Sequence, residues 1–404
     1  MKKRIIALAL VFCMLLPLAG CGSKQKEKLV LALRAGTYSD VVKYCLDDFE
    51  ALNNVQCEVV ELSEDELHSV LLSAPSKKGA SYDLCMVDGS WVMEFINENV
   101  LTDLSALGYM LDDDIISATT TICVKDGKTY LAPYYGNVTV MLFNAESAKA
   151  VGVDPNSITS LDALLGFCKQ ASQKGLGGFV YRGDTENDIV VDFLPILRAF
   201  GGWVIDDNNR PTVNTFEFTR AMEFYIELCK TGAPLSKENL IQDIEAGKQL
   251  AAVGWPGWFN PETSKNSDYI PFPGKRAEES RNFNSNIYGI WTLGIPEKST
   301  HKESACKLLS YLMDKEVQKK TVAVGGVPCR YSVLKDPAVL EQEPHFETIC
   351  TALENGIYRP VIREWPRFYA ILGAEMKKMM DGSISVSEGL KLAQESLEAL
   401  MGSK

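Results

Sequence analysis

Apolar residues between positions 29 and 87 switch between two spacings, and the switching predicts the local architecture. Leu29 to Leu33 and Leu84 to Val87 are short apolar runs, as expected of buried strands, and Cys57 to Leu62 reads as a third strand. Between them, Ser39 to Leu52 sets Val42, Cys45, Leu46 and Phe49 on one stripe of a helix, and Glu64 to Leu72 reads as another helix. Strands alternating with helices predict a mainly parallel sheet. In open sheets of this kind solutes sit beyond the carboxyl ends of the strands, so the loop from Arg34 to Tyr38 and the turn at Asp88 line a candidate cleft mouth.

Further along, capping residues announce helices. Thr159 with Asp162 precedes a stripe of Leu161, Leu164, Leu165 and Cys168, and Asn214 with Glu217 precedes Ala221, Phe224, Tyr225 and Leu228. A later helix is predicted over Lys302 to Lys320, burying Ala305, Leu308, Leu309, Leu312 and Met313. The stretch from Trp255 to Trp291 differs in kind. Trp255-Pro256-Gly257-Trp258-Phe259, Pro271-Phe272-Pro273-Gly274 and Tyr288-Gly289-Ile290-Trp291 join aromatics to residues that interrupt regular structure, which predicts loops.

The first residues carry an address. Lys2, Lys3 and Arg4 precede an apolar run from Ile5 to Leu18 that ends in Leu18-Ala19-Gly20-Cys21. This reads as a signal peptide (1–20) with a lipobox, cleaved before a lipidated Cys21, followed by a polar tether (21–28). The run is shorter than the roughly 20 residues that span a bilayer, and an uncleaved anchor is the alternative. The expected location is the outer side of the cell membrane, held by lipid. Stable anchoring takes more than one acyl chain, so a palmitate beside a diacylglycerol-type modification is expected.

Composition narrows the function. A hydrophobic content of 46% suits a globular body, and 404 residues exceed what one core usually covers, so two lobes are expected. The net charge of −12 disfavours nucleic acid as a partner, since gripping phosphates needs a basic face, and says little about the local charge of a pocket. Eleven cysteines, none spaced C-x-x-C, and three dispersed histidines give no metal site, and no cofactor is expected. Most of these thiols read as small buried hydrophobes.

Motifs for catalysis are missing: there is no G-x-S-x-G, H-E-x-x-H, phosphate loop or dinucleotide fingerprint. Acidic runs such as Asp112-Asp113-Asp114 and Asp206-Asp207 read as solvated turns and caps. Loops that combine aromatic and planar polar side chains stand out instead. A sugar offers apolar C–H faces between hydroxyls, and such loops supply flat rings and hydrogen-bonding groups to match. The candidates are Asp88 with Trp91, Tyr134 and Tyr135 with Asn137, Trp255 with Trp258, Tyr288 with Trp291, and Arg359 with Trp365. Core packing is the alternative for each Trp, and capping of the next helix is the alternative for Asp88.

Four segments in order carry a resemblance. They are Tyr82-Asp83-Leu84-Cys85-Met86-Val87-Asp88-Gly89-Ser90-Trp91, with Asn99 to Leu104; Gly127-Lys128-Thr129-Tyr130-Leu131-Ala132-Pro133-Tyr134-Tyr135-Gly136-Asn137; Phe200-Gly201-Gly202; and Gly325-Gly326-Val327-Pro328-Cys329-Arg330. Behind a lipobox, the chain resembles the family 1 extracellular solute-binding proteins of ABC importers, the group of maltose- and trehalose-binding proteins. The resemblance implies an α/β, two-lobed periplasmic-binding-protein-like fold of type II, each lobe a mainly parallel sheet flanked by helices. Lobe 1 would comprise 29–140 plus 292–328 and lobe 2 141–291 plus 329–404, with crossings near Val138 to Leu142, Gly289 to Ile295 and Val327 to Tyr331. It further implies that Asp88, Tyr135, Trp291 and Arg359 contact a mono- or oligosaccharide. A monomer with no catalytic residues would then deliver its solute to membrane permease subunits by hinge closure. The hinge Gly289-Ile290-Trp291 departs from the family pattern, where a second Gly is frequent. Alternatives are a polyol or other polar cargo, an envelope glycan hydrolase, and a sensor or adhesin.

Overall fold

The computed structural model describes residues 26–73, 82–258, 264–274 and 285–402. The predicted leader, Cys21 and Phe259 lie outside them. Two five-stranded sheets organise the chain. The first runs Val55–Leu62, Glu27–Arg34, Leu84–Asp88, Trp291–Gly294, Ala132–Tyr135. Its first three strands are parallel, and Leu31, Ala32, Leu33 and the whole of Leu84–Asp88 are buried, because helices and loops cover both faces. Trp291–Gly294 then inserts antiparallel between Leu84–Asp88 and Ala132–Tyr135, setting Trp291 opposite both Asp88 and Tyr135.

Local chemistry explains the flanking helices. Thr37–Asn53 buries Val41, Val42, Cys45, Leu46 and Phe49 along one stripe. Glu64–Leu72 starts with a capping box: Ser63 Oγ accepts from the Glu66 amide at 3.3 Å, and the Glu66 carboxylate accepts from the Ser63 amide at 2.9 Å.

The second sheet runs Ser267–Pro271, Val140–Asn144, Gln249–Gly254, Gly177–Arg182, Pro234–Leu235. Around it pack Leu161–Gln173, Glu186–Ala199, Phe216–Cys229 and the C-terminal helices Trp365–Met380 and Val386–Gly402. Two caps lie one residue later than the sequence suggested. Ser160 and Thr215, rather than Thr159 and Asn214, accept from the amides of Ala163 and Phe218, since a cap must stand three residues before the amide it satisfies. The predicted helix over Lys302 to Lys320 is broken in two. Lys302–Leu312 ends at Met313, and Asp314 caps a new helix, Lys315–Thr321, by accepting from the amides of Glu316 and Val317. Ser267–Pro271 is a strand inside the stretch predicted as loop; at a sheet edge it tolerates Pro271. The nine described cysteines are free thiols, and all but Cys57 are buried.

Among the described residues, and leaving aside Tyr269, which packs into the first core, membership of the two hydrophobic cores changes at three places. Val140 belongs to the first core and Met141 to the second, Ile287 to the second and Tyr288 to the first, Leu353 to the first and Ile362 to the second. The passages lie side by side: the Thr139 amide donates to Ile287 O at 3.0 Å, the Gly289 amide to Asn137 O at 3.0 Å, and Ile287–Tyr288 pairs parallel with Ile357–Tyr358. Residues 356–361 thus lie between the two cores. Residues 327–331 stay in the first core, where Val327 and Cys329 are buried and Arg330 pairs with Asp112 at 2.6 Å and Asp114 at 3.0 Å.

One polar link spans the two cores near these passages. His345, at the start of Phe346–Asn355, lies 2.5 Å from Asp268 on the edge strand of the second sheet. The hydrogen bond to Asp268 outweighs burial and raises the imidazole above its ordinary 6.5. A raised folded pKa means that the native state binds the proton more tightly than the unfolded chain. The stabilisation is complete below about pH 6.5 and is lost as pH climbs through the folded value. Both side chains are about a third exposed, so the effect is expected to stay under ~1 kcal/mol. Urea unfolding at pH 5.5 and 8.5 should show that His345→Gln removes part of the difference in stability between the two; an unchanged difference would refute this role.

Candidate functional site

A cavity of about 500 Å³ opens between the two cores. Strand ends place its walls. Arg34 and Asp88 close their strands in the first sheet, Ser63 to Asp65 follow Val55–Leu62, Arg182 closes Gly177–Arg182, and Trp255 follows Gln249–Gly254. Glu64, Glu186 and Lys237 are the first residues of three helices and also line it, so three positive helix ends face the space. The passages form its floor through Asn137, Gly289, Trp291 and Arg359.

The floor is tied on both sides. Asn137 Nδ2 donates to Tyr38 OH at 3.1 Å, and its Oδ1 accepts from the Gly257 amide at 3.1 Å. Burial pushes the Tyr38 phenol up to about 12, so it stays neutral. Trp291 packs tilted on Tyr38 at 5.7 Å and edge-on to Trp91 at 5.6 Å, with the Arg34 guanidinium 6.0 Å from its ring centre. On the opposite wall Arg182 lies 5.4 Å from the ring centre of Trp258.

Two buried ion pairs anchor the walls. Arg359 Nη2 donates to both carboxylate oxygens of Asp88, at 2.5 and 2.6 Å, with both residues over nine-tenths buried. Asp88 Oδ1 also accepts from the Ser90 amide at 2.8 Å and from Ser90 Oγ at 2.7 Å, so Asp88 caps the following turn and faces the cavity. Arg182 Nε and Nη2 donate to Asp192 Oδ1 at 3.0 and 2.5 Å, and Arg182 also pairs with Asp188. Burial raises the Asp192 carboxyl against the pull of Arg182. Burial and the nearby Asp88 charge raise Glu64, while burial and the nearby Arg34 charge lower Lys237.

Six of the candidates line the cavity: Asp88, Asn137, Trp255, Trp258, Trp291 and Arg359. Three others lie behind the wall. Trp91 backs Trp291 and meets His68 at 4.9 Å, Tyr135 donates to Gly325 O at 2.5 Å, and Tyr288 donates to Leu353 O. Trp365, noted near Arg359 in the sequence, is 1% exposed and stacks on Phe368 in the second core. Arg182, Glu64, Lys237 and Tyr369 line the cavity without having been singled out. Arg182 could have been found, since it ends the apolar run Phe179-Val180-Tyr181; Lys237 carries no local signal. Among the described residues no cluster of His, Cys, Asp and Glu could hold a metal ion. Flat rings beside fixed donors and acceptors make a surface for a small polar solute with apolar faces.

Comparison with known proteins agrees in architecture. Residues 45–348 match the bacterial extracellular solute-binding protein family. A probable amino-acid ABC transporter periplasmic-binding protein of Sinorhizobium fredii is 23% identical over a 351-position alignment that covers 81% of this chain and 79% of that protein. A mannitol-binding protein of Pseudomonas aeruginosa is 23% identical, covering 98% of this chain and 97% of that one. The structure of maltose-bound MalE3 of T. maritima superposes with a TM-score of 0.81 at 22% identity, covering 92% of this chain and all but 1% of that one, or 99%.

Removing one partner of a buried pair strands the other charge. Asp88→Ala is therefore expected to lower the unfolding free energy by about 3–5 kcal/mol, and adding Arg359→Met should recover much of it. Denaturant unfolding of the two single variants and the double variant tests this; strictly additive losses would show that the pair is not coupled.

Proposed function

Because this chain belongs to the bacterial extracellular solute-binding protein family, we propose that it captures a carbohydrate or a related polyol and passes it to an ABC-type importer. The observation that carries the reading is the pairing of aromatic surface with fixed polar groups across one cavity. Trp291 and Asn137 lie on the floor, and Trp255 and Trp258 on the wall of the second sheet. Rings of this kind stack on the C–H faces of a sugar, and Asn, Asp and Arg side chains match its hydroxyls. Relatives named for maltose and mannitol support a polyhydroxylated solute; one named as probably serving amino acids keeps a second class open.

In this reading the lobes follow the cores. The first comprises 27–140 and 288–355, the second 141–287 and 362–402, with 356–361 between them. That division takes 329–355 into the first lobe. Closure about three adjacent passages would bring both walls onto the solute and present one closed surface to a permease. Cys21 would carry the lipid that keeps this monomeric receptor at the outer face of the membrane. No covalent step is needed, and the protein acts as a carrier, not an enzyme.

Thermal unfolding of the purified chain against monosaccharides, oligosaccharides, polyols and amino acids tests the reading. A ligand at about one hundred times its Kd adds ~2.7 kcal/mol to the folded state, enough to move Tm by a few degrees. The expected result is a saturable shift with one saccharide or polyol class and no turnover of it. Trp258→Ala should weaken that binding by more than ~1 kcal/mol while leaving Tm without ligand nearly unchanged, since Trp258 is only half-buried. A shift confined to amino acids would remove the carbohydrate and keep the receptor.

A further inference from the structure

Charges around the cavity do not all cancel. Asp88 is held by Arg359, Asp188 and Asp192 share Arg182, and Glu186 is held by Lys377 at 2.9 Å. Asp65, Asp184 and Glu238 stand at the exposed rim, where water and salt screen them. Inside, Arg34, Lys237 and Glu64 are without an ion pair among the described residues. Arg34 Nε is buried with no hydrogen-bond partner, as is Nε of the nine-tenths buried Arg359. Buried donors left without acceptors are rare in folded proteins, and two within one cavity point to an acceptor that arrives from outside.

The two free cations come from opposite walls. Arg34 ends the strand Glu27–Arg34 of the first sheet, and Lys237 opens the helix Lys237–Glu245 beside the second. Each lies within the other's electrostatic reach, which with burial disfavours the ammonium of Lys237. Like charges brought face to face repel until an anion sits between them. The helix ends at Glu64, Glu186 and Lys237 add positive potential to the same space. Burial and Asp88 raise the Glu64 carboxyl, while Arg359 and Arg34 pull it down.

We propose that the solute carries an anionic group, as an acidic saccharide does, and that Arg34 and Lys237 clamp this group from the two lobes on closure. This rests on the carbohydrate reading of the same cavity. A planar guanidinium gives two parallel bonds to one edge of a carboxylate or phosphate, and an ammonium supplies a point charge on the other side.

Isothermal titration of the purified protein with glucuronate, galacturonate and short oligogalacturonates, with glucose and galactose as neutral parents, and with glucose 1-phosphate tests the proposal. At least one acid should bind about tenfold or more tighter than its neutral parent, and the advantage should shrink as salt rises. Arg34→Gln and Lys237→Gln, one on each wall and each checked for an unchanged unfolding curve, should each collapse the acid-to-neutral ratio. The uronate and phosphate arms distinguish a carboxylate from a phosphate ester. A neutral sugar that binds as tightly as its acid, or variants that leave the ratio intact, would overturn the proposal and leave the carbohydrate reading standing. Failure of every saccharide, acidic or neutral, would overturn both.

Discussion

The buried pair between Asp88 and Arg359 is the constraint around which the site is arranged. A carboxylate this deep is tolerable only with a counter-charge and hydrogen bonds, and Arg359 and Ser90 supply both. Asp88 ends a central strand of the first sheet, and Arg359 comes from the last passage between the cores, far along the chain. Their contact fixes the third passage against the carboxyl edge of the first sheet. Trp291 lies opposite Asp88 in the register of the same sheet, so the aromatic floor and the ion pair are placed by one set of strands.

The cavity follows from this topology. Strand ends and helix starts from two sheets meet where the chain changes core, and backbone there is already committed to turning. Adjacent passages that hydrogen-bond to one another form a narrow strip between the two cores. Asn137 sits on that strip and bonds to Tyr38 on one side and to the Gly257 amide on the other, so it feels the relative position of both walls. A solute that touches both walls would gain its contacts only in the closed arrangement. That links binding to a change of outer shape, which is what a carrier must signal.

Positive charge in an otherwise acidic protein has the same origin. The sequence total is −12 and carboxylates also outnumber cations around the cavity, but Arg34 and Arg182 stand there at strand ends and Lys237 at a helix start. Burial makes each of these charges count for more than an exposed one, and the low polarity of tryptophan faces strengthens the effect. Net charge was no guide to the pocket.

Periodicity alone determined the three parallel strands of the first sheet and the two helices between them, because Leu29 to Leu33, the Val42–Cys45–Leu46–Phe49 stripe and Leu84 to Val87 are local patterns that match their burial. Chemical type alone marked Asp88, Asn137, Trp255, Trp258, Trp291 and Arg359 as worth watching. Whether an aromatic faces a cavity or stands behind it was decided by tertiary structure: Trp91 and Trp291 look alike in sequence, yet strand register puts one at the floor and the other at its back. The third passage was also beyond local reading, since Val327 to Arg330 and Ile357 to Tyr358 are both short mixed segments. Arg330 is buried against Asp112 and Asp114 in the first core, and Ile357–Tyr358 pairs with Ile287–Tyr288. Lys237 shows the limit most plainly, for a lysine at a helix start has no local mark of function. It faces the cavity only because its helix packs beside Gly177–Arg182 and Gln249–Gly254, and contacts between residues so far apart in sequence are set by how two sheets meet.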